Sequence, residues 1–376
     1  MATSWRYSAL AERHRALGSK LEDWNGMGTP WSYDSDLSLA HEAIRTQAGL
    51  MDVSGLKKVH FVGPHAESLL EYACTRVISK LYPGKSVYAT ILNESGKFVD
   101  DCVIYRTGPN AFMVVFGAGN GYEMLVRSSQ GRQVSVLFDD DLHDISLQGP
   151  NAVEFLSEHV PGIRDLPYFH HIQTRLFDRP VMISRTGYTG ERGYEIFCKA
   201  ADVVAIWDRI LELGGAYGII PCAFTALDML RVESYLLFYP YDNSEMYPFA
   251  GEAAGDTLWE LGLDFTVSKD KTEFRGATEH FRLKDQQRFK IFGALLEGHQ
   301  AAQEGDTVWA DGKQVGVITC AMYSRLTEKS MALVRFDTAY AAQGTPLEVK
   351  GSLNVTAIAH SLPFDDPDKK KRTAKG

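Results

Sequence analysis

The sequence has no long hydrophobic run. No apolar stretch approaches the ~18 residues that cross a bilayer, and the opening Met-Ala-Thr-Ser-Trp-Arg-Tyr lacks the apolar core of a leader. The expectation is a cytoplasmic protein with no membrane partner. Cysteine is scarce: five residues, at 74, 102, 198, 222 and 320, with no CxxC pair. An odd, unpaired set signals neither a disulfide framework nor a zinc knuckle and fits a reducing compartment. Positive charge is in deficit, with a net charge of −9, which argues against a nucleic-acid partner because no long basic face is available. Walker loops, nucleophile elbows, HExxH and repeats of about 20–50 residues are missing too. His170-His171 offers no third ligand at a recognisable offset, so no metal site is expected.

What is present is a chain of 376 residues, 45% hydrophobic, long enough for two or three cores. Its most distinctive stretch is Ser184-Arg-Thr-Gly-Tyr-Thr-Gly-Glu-Arg-Gly-Tyr-Glu195, a polar turn between a buried strand at 181–184 and an alternating strand at 194–198. Three glycines in the turn allow positive φ and close backbone approach. Glu195 falls inside the returning strand, where a carboxylate is costly unless it is paired, and a ligand with adjacent N–H donors would pair it.

Helices are expected at 5–20, 35–48, 66–73, 203–213 and 223–234, and strands at 59–62, 88–92, 98–105 and 111–116. Strand, helix, strand, strand, helix with short connections indicates an α+β layer. In the 98–105 strand the period of two puts Asp101 on one face with Val103 and Tyr105, and Asp100 on the other with Cys102 and Ile104. Only one of the two acids can therefore address a given cavity. Gly117-Ala-Gly-Asn-Gly121 matches no phosphate-loop spacing. The loop from Trp24 to Tyr33 reads either as a connector whose rings plug a core or as a pocket wall. Asp228 and Arg231 stand at i, i+3, a local ion pair that would also suit an arginine clamping a ligand. Beyond about residue 285 short strands with Gly-rich turns indicate a barrel or sandwich. The basic run Lys369–Arg372 reads as a solvated, disordered tail.

The pieces Gly49-Leu-Met-Asp-Val-Ser54, Gly96-Lys-Phe-Val-Asp-Asp101, Arg185–Glu195, Asp228-Met-Leu-Arg-Val-Glu233, Gly316-Val-Ile-Thr319 and Leu362-Pro-Phe364 resemble, in order, those of the tetrahydrofolate-dependent aminomethyltransferases, the glycine cleavage T-protein and its relatives. The resemblance implies two α+β (ferredoxin-like) domains and a C-terminal β-barrel in a ring around a central folate channel. The first α+β domain would comprise 1–55 and 140–280, the second 56–139, and the barrel 285–365, followed by a disordered tail at 366–376. It implies Asp101 as the catalytic acid beside the reacting folate nitrogen, and Tyr88, Tyr105, Tyr188, Glu195 and Arg231 around tetrahydrofolate as cofactor. A pterin edge is the donor pair that Glu195 lacks, and an acid at Asp101 can orient an amine and take its proton.

Departures from the family pattern fall on the carbon-donor side. Gly55-Leu56 replaces His-Met, Gly117 replaces an asparagine, Phe265 stands for a tryptophan, and Asp23–Met27 and Phe238–Tyr241 are altered loops. The donor is therefore expected to be a small molecule rather than a lipoyl carrier protein. An aromatic set of Trp24, Trp31, Tyr235, Tyr239 and Tyr241 would suit an onium compound or a methoxy-aromatic, with Trp31, His60 and Tyr239 as candidate substrate-binding residues. His60 reads equally as a structural histidine. The expected activity is methyl transfer to tetrahydrofolate. A glycine cleavage T-protein and a non-catalytic folate-binding protein are the alternatives.

Overall fold

A computed structural model describes residues 5–247 and 255–374. Its first layer is a six-stranded sheet in the order His171–Leu176, Arg179–Ser184, Gly193–Lys199, Leu142–Gln148, Ala48–Asp52, Ile219–Pro221, parallel only at the last pair. Alternation sends Tyr194, Ile196 and Cys198 to one face, where they join Ile145 and Leu147 under Phe155, Val203, Ile206 and Trp207. These last four come from helices Pro150–His159 and Ala200–Gly214, whose apolar stripes cover that face.

The second sheet has five strands, Ser86–Leu92, Phe98–Gly108, Ala111–Phe116, Lys57–Val62 and Ser135–Phe138, in that spatial order. Helices Ala66–Ala73 and Gly121–Ser129 close its outer face over Phe61, Cys102, Ile104 and Phe116. The inner faces of the two sheets meet: Tyr105, Met113 and Val115 pack on Met182 and Phe197. Everything that alternates out of the two helix-covered cores therefore enters one shared layer.

The third unit is a closed barrel of Phe289–Leu296, Lys329–Asp337, Lys313–Ser324, Thr307–Ala310, Pro346–Lys350 and Asn354–His360. Closure leaves no open sheet edge, and Val232 and Met229 of helix Phe224–Ser234 dock it through Cys320 and Leu333. Among the described residues no helix is long and apolar enough to cross a membrane.

Two expectations change. The helix expected over 5–20 shrinks to Ala11–Ala16, because Arg6–Tyr7 pairs with Met27–Thr29 in a small three-stranded sheet. The tail expected to be disordered is instead docked: Lys370–Thr373 is a short helix capped by the Asp366 carboxylate, which accepts from the amides of Lys370 and Lys371 at 2.8 Å. Polar contacts, not apolar burial, tie this terminus down.

The turn at 185–192 is fixed from behind by Arg45 of helix Leu37–Thr46, which the motif reading passed over. Its guanidinium, 6% exposed, reaches Glu233 at 2.7 Å, Glu191 at 2.9 Å and the Thr189 carbonyl at 2.8 Å. Gly190 sits over the same spot with φ +82°, where a Cβ would fall 2.0 Å from Ser234 Oγ. Gly187 and Gly193 serve close approach rather than positive φ, both lying against the Gln148 side chain. Replacing Arg45 by Met would leave two buried carboxylates short of their cation, so Arg45→Met is expected to cost about 3–5 kcal/mol. Urea unfolding measures it; a loss below about 1 kcal/mol would show that His41, 3.0 Å from Glu233, and Lys371, 3.3 Å from Glu191, take over.

Candidate functional site

Register builds the site. Directly opposed residues put Lys58, Val115, Val103 and Tyr88 in one row of the second sheet's inner face, and His60, Met113 and Tyr105 in the next. Asp101 lies on the same face of the Phe98–Gly108 strand, about 13 Å from Tyr105 at ~3.3 Å per residue. Opposite, the first sheet contributes Glu195, Phe197, Asp144, Ser146 and Gln148, again by alternation and register.

Glu195 accepts from the hydroxyls of Tyr105, at 3.3 Å, and Thr186. Burial pushes its carboxyl up, and those two hydroxyls only partly oppose the rise. Tyr105 is fully buried, its ring wedged edge-on between His171 at 5.4 Å and Phe197 at 5.6 Å. This one side chain links the strand that carries Asp101 to the strand that carries Glu195. Asp144, on the Glu195 face of the neighbouring strand, is fully buried, and neither of its oxygens has a hydrogen-bond partner among the described residues. The cation nearest to it is Lys58, whose buried ammonium donates to the Ser54 carbonyl at 2.6 Å.

At the other end Tyr88 donates to Asp101 Oδ2 at 2.7 Å. Asp100 turns the opposite way and is sealed off, accepting from the amides of Gly119 and Gly121 at 3.1 Å and Asp101 at 2.9 Å. The glycine loop that fails as a phosphate cradle is a cradle for the chain's own carboxylate, at the start of helix Gly121–Ser129. Burial raises both carboxyls: Asp100 to about 8, where the neighbouring Asp101 charge adds to the rise and three amides oppose only part of it, and Asp101 to about 6, opposed chiefly by Tyr88's hydroxyl. Asp101 is the acid of the pair that faces the layer, so it is the one placed to exchange a proton with a ligand there. Gly117 lies directly against it: a Cβ there would sit 2.7 Å from Asp101 Oδ1.

Tyr188 is in the same neighbourhood: Asp101 is among the groups that act on its hydroxyl, and it acts in turn on that of Tyr88. It donates to the carbonyls of Leu236, at 2.9 Å, and Leu237. Arg231 is placed differently from a ligand clamp. It is 1% exposed and committed to Asp228 and, at 2.6 Å, to Asp242, with its guanidinium 5.3 Å over the Phe238 ring. Its role in this geometry is to fix the Phe238 loop.

The aromatic residues form one wall: Trp31 stacks on Phe224 at 4.8 Å, Phe224 meets Trp24 at 4.8 Å, and Trp24 leads through Phe238 to Tyr241. Gly55 makes the wall possible, because a Cβ would lie 2.5 Å from the Trp24 ring. The Trp24 indole N–H is buried without a partner. Tyr239 stands apart, beside Phe98 in a depression of about 230 Å³ with Asn93, Asn120 and Glu245. His60 is not brought to Asp101; it pairs with Asp139 at 3.1 Å near the layer's edge. Arg45 carries no motif of its own and emerges only from contacts.

Comparison with known proteins agrees with this geometry. Residues 10–271 match the GCVT N-terminal domain family and residues 290–366 the glycine cleavage T-protein C-terminal barrel domain. The chain is 79% identical over its whole length to the heme-dependent oxidative N-demethylase gamma subunit of Ectopseudomonas mendocina, covering all of that protein. It is 31% identical to an aminomethyltransferase of Streptomyces coelicolor, over 96% of this chain and 98% of the other. The crystal structure of the glycine cleavage system aminomethyltransferase T from Bartonella henselae superposes with a TM-score of 0.85 at 26% identity, over 96% and 98% of the two chains. The chain belongs to the folate-dependent aminomethyltransferase superfamily.

Proposed function

We propose that this protein is the folate-binding subunit of an oxidative N-demethylase, transferring to tetrahydrofolate the carbon removed from an N-methyl donor. The observation that carries it is the pair of raised carboxyls facing one layer, Asp101 and Glu195, on two strands that Tyr105 links through its bond to Glu195. The relative's name supports an N-methyl donor over a methoxy-aromatic one. Two-electron oxidation of an N-methyl group leaves its carbon at the formaldehyde level. The carbon would then enter folate as a methylene rather than, as the sequence alone suggested, a methyl group.

The residues fit a reduced pterin. Glu195 faces only hydroxyls, and Asp144 has two unpartnered buried oxygens, so a ring edge with N–H donors would satisfy what the protein leaves open. When bound, tetrahydrofolate supplies the nucleophilic nitrogens that accept the carbon. Glu195 would hold the ring edge, and Tyr105 and Thr186 would hold Glu195. Asp101, fixed at Oδ2 by Tyr88, has Oδ1 available to orient an amine and take its proton. The wall from Trp31 to Tyr241 keeps water out and offers ring faces to a cationic methylamine. Haem does not fit the cavity of about 630 Å³ on the barrel, whose lining of Leu295, Trp309, Leu347, Ile358 and their neighbours offers no axial ligand. Haem is assigned to a partner subunit, and the carbon reaches this chain from there.

In the assembled enzyme Asp101→Asn should leave folate affinity within about threefold while folate-bound product falls on the order of 10²-fold. Calorimetry and product analysis read the two quantities; free formaldehyde should accumulate as N-demethylation continues. Loss of folate binding along with turnover would remove Asp101 from the proton-transfer role. Acid inactivation should follow the raised Asp101 carboxyl. Transfer needs its ionised form, so the rate declines as pH falls through a midpoint above the ordinary carboxylate value of about 3.9. Tyr88→Phe removes a hydrogen bond to the charged form and should move that midpoint up by roughly half to one pH unit. A pH–rate profile that stays put in the variant would separate the acid limb from Asp101.

A further inference from the structure

Strands Glu22–Trp24 and Met27–Thr29 form a hairpin turned by Asn25-Gly26, with φ of +55° and +73°. Positive φ at both central positions is the turn that Asn-Gly favours, so local chemistry accounts for the turn by itself. It does not account for where the Asn25 side chain goes. The Asn25 Nδ2 donates to the Gly117 carbonyl at 3.1 Å, across 92 residues of chain. Gly117 is the first residue past strand Ala111–Phe116. Its amide donates to the Asp101 carbonyl at 3.2 Å, and a Cβ at this position would sit 2.7 Å from Asp101 Oδ1. The Gly117 peptide is therefore held between Asn25 on one side and Asp101 on the other, beside the carboxylate oxygen that Tyr88 leaves open.

The hairpin tip is itself fixed. Arg6 donates to the Asn25 carbonyl at 3.0 Å, pairs with Asp140 and lies 5.2 Å over the Phe138 ring, which ties the tip to the edge of the second sheet. Asp23 accepts from the Gly26 amide at 2.9 Å. Trp24 packs on Phe224 at 4.8 Å, over Gly55. Consecutive residues of one tip thus cover two glycines. Any side chain at 117 would collide with Asp101, yet a bare glycine there leaves the backbone free to move unless another group restrains it. The Asn25 amide is that restraint.

We propose that Asn25 is a positioning residue of the carbon-transfer site, holding the Gly117 peptide against Asp101 so that Oδ1 stays directed at the reacting amine of the folate. This rests on the folate reading above. Proton transfer from an amine depends on a short, aligned contact, so a carboxylate allowed to swing loses rate rather than ligand affinity.

Two variants keep the turn, because Gly-Gly and Asp-Gly suit it as Asn-Gly does. In the assembled enzyme Asn25→Gly should lower folate-bound product on the order of tenfold, with tetrahydrofolate affinity within about twofold and free formaldehyde rising as N-demethylation continues. Asn25→Asp brings a carboxylate to the Gly117 peptide. The titratable groups already around Asp101 are Tyr88, Tyr188, Asp100 and the Cys102 thiol, none of them a cation. A further like charge disfavours ionised Asp101, so the acid limb of the transfer rate should move up by roughly half to one pH unit. A tip that only shapes the fold would lower the thermal midpoint and folate affinity together and leave the acid limb in place. That result would overturn the proposal, as would an undiminished transfer rate in Asn25→Gly. Failure of the unaltered enzyme to bind tetrahydrofolate would instead sink the folate reading itself.

Discussion

A carboxylate inside a β-strand survives only if the layer it faces supplies partners, and this constraint shapes the molecule around Glu195. Its strand is covered by helices on the Ile196 side, so alternation sends the carboxylate toward the second sheet, where it is part-buried. That sheet answers with Tyr105, and the turn before the strand answers with Thr186. Asp144 adds two oxygens without a hydrogen-bond partner to the same layer, with the Lys58 ammonium as the cation acting on it. Polar atoms left open in this way can be met by a ligand that brings donors.

The adjacent acids show how one strand divides structural and chemical work. Asp100 is fully buried and spent on three amides at the start of a helix, which oppose only part of the rise that burial gives its carboxyl. Asp101, one residue on, is part-buried and faces the layer with a single hydroxyl partner. Alternation along the strand decides which of the two acids a ligand can reach.

The departures from the family pattern acquire a common explanation in the wall beside this layer. Loss of a side chain at Gly55 and gain of a ring at Trp24 are two halves of one packing change, since the ring fills the space that a Cβ at 55 would need. Gly117 leaves similar room beside Asp101. Arg231, part of a family motif, pairs through Nε and one Nη with two carboxylates and lies over the Phe238 ring, which ties it to that loop. The altered positions border an aromatic wall, while the carboxylate positions keep the residues of the family pattern.

Much of this was present in the order of the residues. The period of two along 98–105 assigned Asp100 and Asp101 to opposite faces, and the polar turn ending in Glu195 marked a carboxylate in need of a partner. The short strands after residue 285 announced a separate β unit, because local alternation and turn chemistry are readable without neighbours. Three-dimensional packing decided the remainder. That Tyr105 would touch Glu195, that Arg45 would hold the turn from 146 residues away, that Gly55 would yield its space to Trp24, and that the basic terminus would dock on Arg185 all depend on contacts between segments far apart in the chain. Such contacts leave no periodic trace in sequence; they follow from which two sheets close on each other and from the polar groups stranded between them.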